Sequence, residues 1–199
     1  MLEYAGFVAG PYCGRLLADL GANVLKVEAP GTGDTARSYG PFPGDIPHPE
    51  KSGLFLHLNL NKRSVTLDPS TAAGKELFVK LVDKADVLIE DSSPGSMAEL
   101  GLGYTQLQGL NSSLVYVSVT PYGQTGPQAG WKAHHINTFH ASGEGYTLPG
   151  GATYAIFPER PPVAGGANLG EYDAGTIAAS GTVAALFARE LWGKGQHVD

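Results

Sequence analysis

Short apolar runs that suit buried strands alternate with stretches of helical periodicity along most of this chain, and that rhythm restricts the fold more than any other feature. AGPYCGRLLADLGA places Pro11 near a helix start, Leu16, Leu17 and Leu20 at helical spacing, and Gly21 as the stop. NVLKVE follows as a short strand, and residues 58–67 alternate towards another. Asp68 or Ser70 is expected to cap the amphipathic segment TAAGKELFVKLVDKA. DVLIE then reads as a buried strand, SMAEL as a short helix, and SLVYVSVT as a strand rich in β-branched residues. Alternation of this kind implies an α/β fold, an open parallel sheet with helices on both faces.

Composition excludes several classes of function. At 199 residues with 42% hydrophobic content, the chain can bury one sizeable core and is not disordered. Its 28 glycines and 14 prolines imply many loops, the longest covering residues 30–53 with no period at all. A net charge of −6 argues against a general nucleic-acid or anionic-membrane binder. No apolar run reaches the length of a membrane span. Cys13 is the single cysteine, so an internal disulfide framework is excluded, and its setting among helix residues reads as core. With no secretory leader in view, the expected compartment is the cytoplasm. The chain opens close to its first turn and stops at GQHVD, on the first residues of a strand, so it is expected to be part of a longer polypeptide.

The C-terminal run GGANLGEYDAGTIAASGTVAALFARELWGKGQHVD sets Glu171 in a glycine-bracketed turn directly before a helix of small residues. Unpaired N–H groups at such a helix start favour an ionised carboxylate and can bind an oxyanion formed beside it. Glu171 is therefore either a helix cap, as is Asp173, or a carboxylate suited to act as nucleophile or base.

Five ordered segments carry a resemblance. They are AGPYCGRLLADLGANVLKVEAPGTGD, NLNKRSVTLD, ADVLIED followed by PGSMAELGLGYTQL, the helix HHINTFHASGEG, and the turn with GKGQHVD. Together they resemble the class III CoA-transferase family, which includes formyl-CoA and carnitine CoA-transferases and the α-methylacyl-CoA racemases. The likeness covers essentially the whole chain. It implies a Rossmann-like large domain, of which residues 1–199 are the N-terminal part. The small domain and the C-terminal return segment would lie outside this chain. Two such chains would interlock into a ring-shaped homodimer acting on acyl-CoA and a free carboxylic acid, with coenzyme A as the acyl carrier and no metal.

The resemblance puts Glu171 in the slot of the family's catalytic aspartate, after Gly170. There the carboxylate attacks an acyl-CoA thioester to give a mixed anhydride, and the released CoA thiolate converts this to an enzyme–CoA thioester. An incoming acid reverses the sequence. Gly165, Gly166 and Gly170 would allow close backbone approach to the thioester. Glu in place of Asp is a departure, because one methylene moves the carboxylate by about a bond length and catalysis responds to displacements of about 1 Å. Asp173 as the nucleophile, or an inactive site, are the other readings.

Within the same family, His134 falls on the racemase's catalytic histidine, with Glu171 as its partner, which would give two-base exchange of an α-proton. His135 stands where the racemase has an acidic residue, and Thr138 where it has an aromatic one. For coenzyme A, the resemblance favours Lys62 and Arg63 at a strand edge for the nucleotide phosphates. Asp91 and Ser92 follow a strand's C-terminal end, and Val8 and Ala9 precede the first helix. Arg37, in the long loop, would hold an acid substrate or a phosphate, or be solvated. Three functions follow: CoA-transferase, acyl-CoA racemase, and a non-catalytic CoA-binding fragment. Substrate choice would fall to residues 30–53 and 143–162, with His134, His135 and Tyr146 lining the acyl pocket.

Overall fold

The computed structural model describes residues 1–148 and 155–199. Six parallel strands lie in the order β3-β2-β1-β4-β5-β6: β1 Leu2–Tyr4, β2 Val24–Glu28, β3 Lys62–Thr66, β4 Val87–Glu90, β5 Val115–Ser118 and β6 His197–Val198. This is the strand order of a doubly wound dinucleotide-type sheet, with its switch point between β1 and β4. The α/β expectation therefore holds. Although only three residues long, β1 is central, pairing Leu2 with Leu25 on one side and Leu88 on the other.

The strands' period of two sorts side chains into two cores. Val87, Ile89, Val115 and Val117 face α1 (Ala9–Asp19) and a long helix, α8 (Leu169–Trp192), joining Cys13, Leu17, Ala179 and Ala185. Leu88, Leu114 and Tyr116 face the other way, towards α3 (Ala72–Val82), α4 (Ser96–Glu99) and α5 (Tyr104–Gln108), with Phe78, Val82, Met97 and Leu107. Each Val, Leu, Ile, Phe or Met side chain among them contributes about 1.5–3 kcal/mol when fully buried. Pro11 occupies the first turn of α1, where its missing N–H costs nothing, and Gly21 at φ +100° ends the helix.

Local details depart from the sequence expectations. Residues 30–53 are not featureless, since 3₁₀ turns form at Thr35–Ser38 and Pro43–Asp45. Ser52 then caps α2 (Gly53–Leu58) by accepting from Phe55 N at 3.0 Å. The expected strand across 58–67 is thus confined to β3, because Ser52 starts a helix that consumes Leu58. Thr71, not Asp68 or Ser70, caps α3 through Gly74 N at 3.0 Å. Asp68 instead accepts from Ser70 N in a local turn. The helix expected over 134–145 divides at Gly143, at φ +89°, into α6 (His135–Ala141) and α7 (Glu144–Thr147).

A buried charge network ties β1, β2 and β3 together beneath α1. Lys26 Nζ lies 2.9 Å from Glu3 Oε1 and 2.7 Å from Asp34 Oδ2, and Lys62 Nζ lies 2.8 Å from Glu3 Oε2. Burial opposes the charge on Lys26, yet Glu3 and Asp34 hold its ammonium above the ordinary lysine range. Burial dominates at Lys62: despite Glu3, and with Lys26 adding repulsion, its ammonium falls to about 8.

Candidate functional site

Both α1 and α8 begin at the C-terminal edge of the sheet, where open α/β sheets bind ligands. They touch closely at their starts. A methyl added at Gly175 would lie 2.7 Å from Ala9 O, and Tyr172 meets Tyr12 edge-on with ring centroids 4.7 Å apart. Glu171 precedes Gly175 by four residues, so it stands roughly 6 Å further along the axis, above the sheet edge.

The sequence put Glu171 in the turn before the helix, but α8 starts earlier, at Leu169, and Glu171 lies in its first turn. The turn itself is made by Ala167 (φ +53°) and Asn168 (φ +61°), two successive non-glycine residues in the left-handed region. Asp173 is likewise inside the helix and does not cap it.

His135, the first residue of α6, meets Glu171: its Nδ1 lies 2.7 Å from Glu171 Oε2, and its Nε2 lies 3.0 Å from Gly165 O. Both side chains are largely enclosed, at 16% and 21% exposure. Phe139, one turn on and buried, packs against the His135 ring at 5.5 Å. Its neighbour His134 is the exposed cap residue, whose backbone N–H donates to Asn137 Oδ1 at 2.9 Å. The histidine that joins Glu171 is therefore one position later than the sequence assigned. The HH doublet was the available signal, but only the helix phase, which buries 135 with 139, chooses between the two. An acidic pair lies nearby: partial burial and the facing Asp173 carboxyl raise the Glu144 carboxyl above its ordinary value, while His135 opposes this.

The remaining sequence candidates divide. Val8 is fully buried at the start of α1, and Ala9 is partly exposed beside Gly175. Asp91 accepts from Gly6 N at 2.9 Å, and Asp34 accepts from Phe7 N at 2.9 Å, so two carboxylates already occupy the β1–α1 turn. Burial pushes the Asp91 carboxyl up to about 7 against that Gly6 hydrogen bond. Ser92 N donates to the buried Glu90 at 2.8 Å. Arg37 forks onto Glu28 at 2.7 and 2.9 Å, reaches Glu50 at 3.0 Å and lies 3.6 Å over the Phe55 ring. It is a clamp on the long loop, not a solvated charge.

Lys62 and Arg63 do not gather at this edge. Lys62 is enclosed with Glu3, and Arg63 is exposed at the N-terminal end of β3, donating to Asn23 Oδ1 at 2.9 Å. The strand direction explains both, because β3 begins at Lys62 and its C-terminal end is Thr66.

A cavity of about 150 Å³ opens at the ends of β1, β2 and β4, lined by Glu28, Asp34, Asp91 and Ser92. Another of about 240 Å³, between β4, β5 and α5, is lined by Glu90, Ser118, Tyr104 and His197. Glu171 lines neither. Among the described residues, no three His, Cys, Asp or Glu side chains are grouped to hold a metal, and no helix is long and apolar enough to cross a membrane.

A doubly wound parallel sheet with a histidine-held carboxylate above its C-terminal edge defines a Rossmann-like domain. Comparison with known proteins narrows this class. Residues 1–199 match CoA-transferase family III, and the chain belongs to that family. It is 39% identical over 199 residues to a succinyl-CoA–D-citramalate CoA-transferase of Chloroflexus aurantiacus, covering all of this chain and 47% of that protein. It is 38% identical to an acetyl-CoA:oxalate CoA-transferase of Acetobacter aceti, covering all of this chain and 48% of the relative. Among solved structures, a CaiB/BaiF family protein from Brucella suis superposes with a TM-score of 0.82 at 35% identity, over all of this chain and 50% of that one. A hypothetical protein from Mycobacterium tuberculosis gives a TM-score of 0.81 at 35% identity, over 99% of this chain and 51% of its own. The chain thus spans about half the length of the curated relatives it matches.

Proposed function

We propose that this chain supplies the carboxylate nucleophile of a CoA-transferase. Glu171 attacks an acyl-CoA thioester, forms a mixed anhydride, and passes through an enzyme–CoA thioester before a free carboxylic acid takes up the CoA. The observation that carries this reading is that one oxygen of Glu171 is held by His135 at 2.7 Å while the carboxylate stands in the first turn of α8. The helix start sets the positive end of its dipole beside that carboxylate. Asp173 is the weaker candidate, since it faces Glu144.

The same distance counts against two-base racemisation. An α-carbon exchanging its proton must sit between acid and base on opposite faces, whereas His135 and Glu171 meet directly. His134, exposed at the start of α6, is not the histidine that meets Glu171.

Coenzyme A would lie along the sheet edge formed by Ala9, Asp91 and Ser92, with its thioester raised to Glu171 and the buried Val8 behind it. The β1–α1 turn amides of Gly6 and Phe7 already serve Asp91 and Asp34, so the phosphates would need cations from elsewhere. In the whole protein we place the remaining residues in a small domain and an interlocked homodimer. The acids in the relatives' names, D-citramalate and oxalate, are the first acceptors to test. The deciding experiment incubates the full-length protein with acyl-CoA and seeks a hydroxylamine-sensitive adduct of CoA on the peptide containing Glu171. Full transfer activity in Glu171→Gln would overturn the reading.

A further inference from the structure

Resting on that nucleophile, we infer that His135 is a catalytic residue of the transfer, the donor to the oxyanion that forms on Glu171 itself. His135 Nε2 lies 3.0 Å from Gly165 O, which orients the ring. Nδ1 faces Glu171 Oε2 at 2.7 Å. As a carboxylate, an anhydride or a thioester, Glu171 offers only acceptor oxygens, so Nδ1 is the donor of this pair in each of these states. Phe139 on the ring face and Gly165 at its far nitrogen fix the donor's direction.

The chemistry then needs this donor at one particular stage. In the first step, the free oxygen Oε1 attacks the thioester carbonyl, the C–S bond breaks and CoA leaves as thiolate. The transient oxyanion is on the substrate, away from His135. In the second step, the thiolate attacks Cδ of Glu171, the carbonyl electron pair moves onto Oε2, and collapse expels the substrate carboxylate with Oε1. Oε2 is the atom His135 already holds. An incoming carboxylate attacking Cδ repeats the same oxyanion in reverse. His135 therefore serves the bonds made and broken at Cδ, not those at the substrate carbonyl. In a site with this little solvent exposure, one oxyanion donor is worth about 10²–10³ in rate.

The test is a rapid-quench single turnover of full-length protein with acyl-CoA, following the CoA thioester on the Glu171 peptide by mass spectrometry. His135→Ala should slow its appearance by about 10²–10³, with KM for acyl-CoA within about threefold. His135→Asn, whose Nδ2 reproduces the position of the ring Nδ1, should recover at least about a tenth of the wild-type rate. Equal losses in the Ala and Asn variants, or a KM rise accounting for the loss, would assign His135 a packing role and overturn the inference. Adduct formation at the wild-type rate in His135→Ala, with none in Glu171→Gln, would sink this inference alone. No adduct on wild-type Glu171 would remove the nucleophile reading and this one with it.

Discussion

Lys62 Nζ and Glu3 Oε2 face each other at 2.8 Å beneath α1, with side-chain exposures of 2% and 0%. Glu3 is also a partner of Lys26, which Asp34 contacts as well, so Lys62 is the ammonium that depends on Glu3 alone among these carboxylates. Removing one partner of such a pair leaves an uncompensated charge, which costs about 3–5 kcal/mol. Glu3→Gln should lower stability by that order in urea unfolding. A loss under about 1 kcal/mol would mean that the network is solvated and dispensable.

Asp91 gives a pH dependence of opposite sense to ordinary acid denaturation. Its unfolded carboxyl ionises near 3.8, whereas burial holds the folded one to about 7. Between those values the folded state binds the extra proton, so this group's contribution to stability falls as pH rises and is fully lost above about 7. Asp91→Asn keeps an acceptor for Gly6 N and removes the charge. It should stabilise the fold at pH 8 by roughly 1–3 kcal/mol, a range reduced for Asp91's partial exposure, and change little at pH 3.5. Equal effects at both pH values would contradict the assignment.

Glu28 behaves in the usual direction. Burial opposes its charge, but Arg37, Ser64 and the Asp34 N–H together hold the carboxyl down to about 2, from an ordinary 4.5. Its stabilisation is therefore complete above 4.5 and is lost as pH falls towards 2. Glu28→Gln should unfold more readily at neutral pH and show a shallower fall in urea midpoint across that acid window. An unchanged slope would show that Arg37 does not carry its interaction with Glu28 into stability.

The sheet was legible because buried parallel strands such as DVLIE and SLVYVSV announce themselves by continuous apolar runs. Cys13, read as core, is fully buried, and burial pushes its thiol up to about 12. Glu171 stood out by its place ahead of a helix of small residues. What resisted reading were the long-range partners. Nothing near Lys62 announces Glu3, 59 positions earlier, so a lysine at a strand edge looked free for phosphate. Arg37 looked equally open until Glu28 and Phe55 closed on it. His134 against His135 failed for a different reason: adjacent residues at a helix start point about 100° apart, and sequence does not fix that phase to within one position.

The seat of Glu171 depends on one glycine. Gly175 lets α8 approach α1 so closely that an added methyl would lie 2.7 Å from Ala9 O and 3.0 Å from Tyr12 Cβ, both in a packed element start. Neither atom is the free end of a flexible chain, so Gly175→Ala must push the helices apart. Overpacking of this kind costs about 1–3 kcal/mol. The push is transmitted along the rigid first turns of α8 to Glu171, one turn away, and displacements of about 1 Å at a reacting group can cost about 10²-fold in rate. Gly175→Ala should therefore lose stability in urea unfolding and lose turnover in the full-length protein even under conditions where it is fully folded. A variant that stays folded and keeps wild-type turnover would show that α1 does not set the position of the carboxylate.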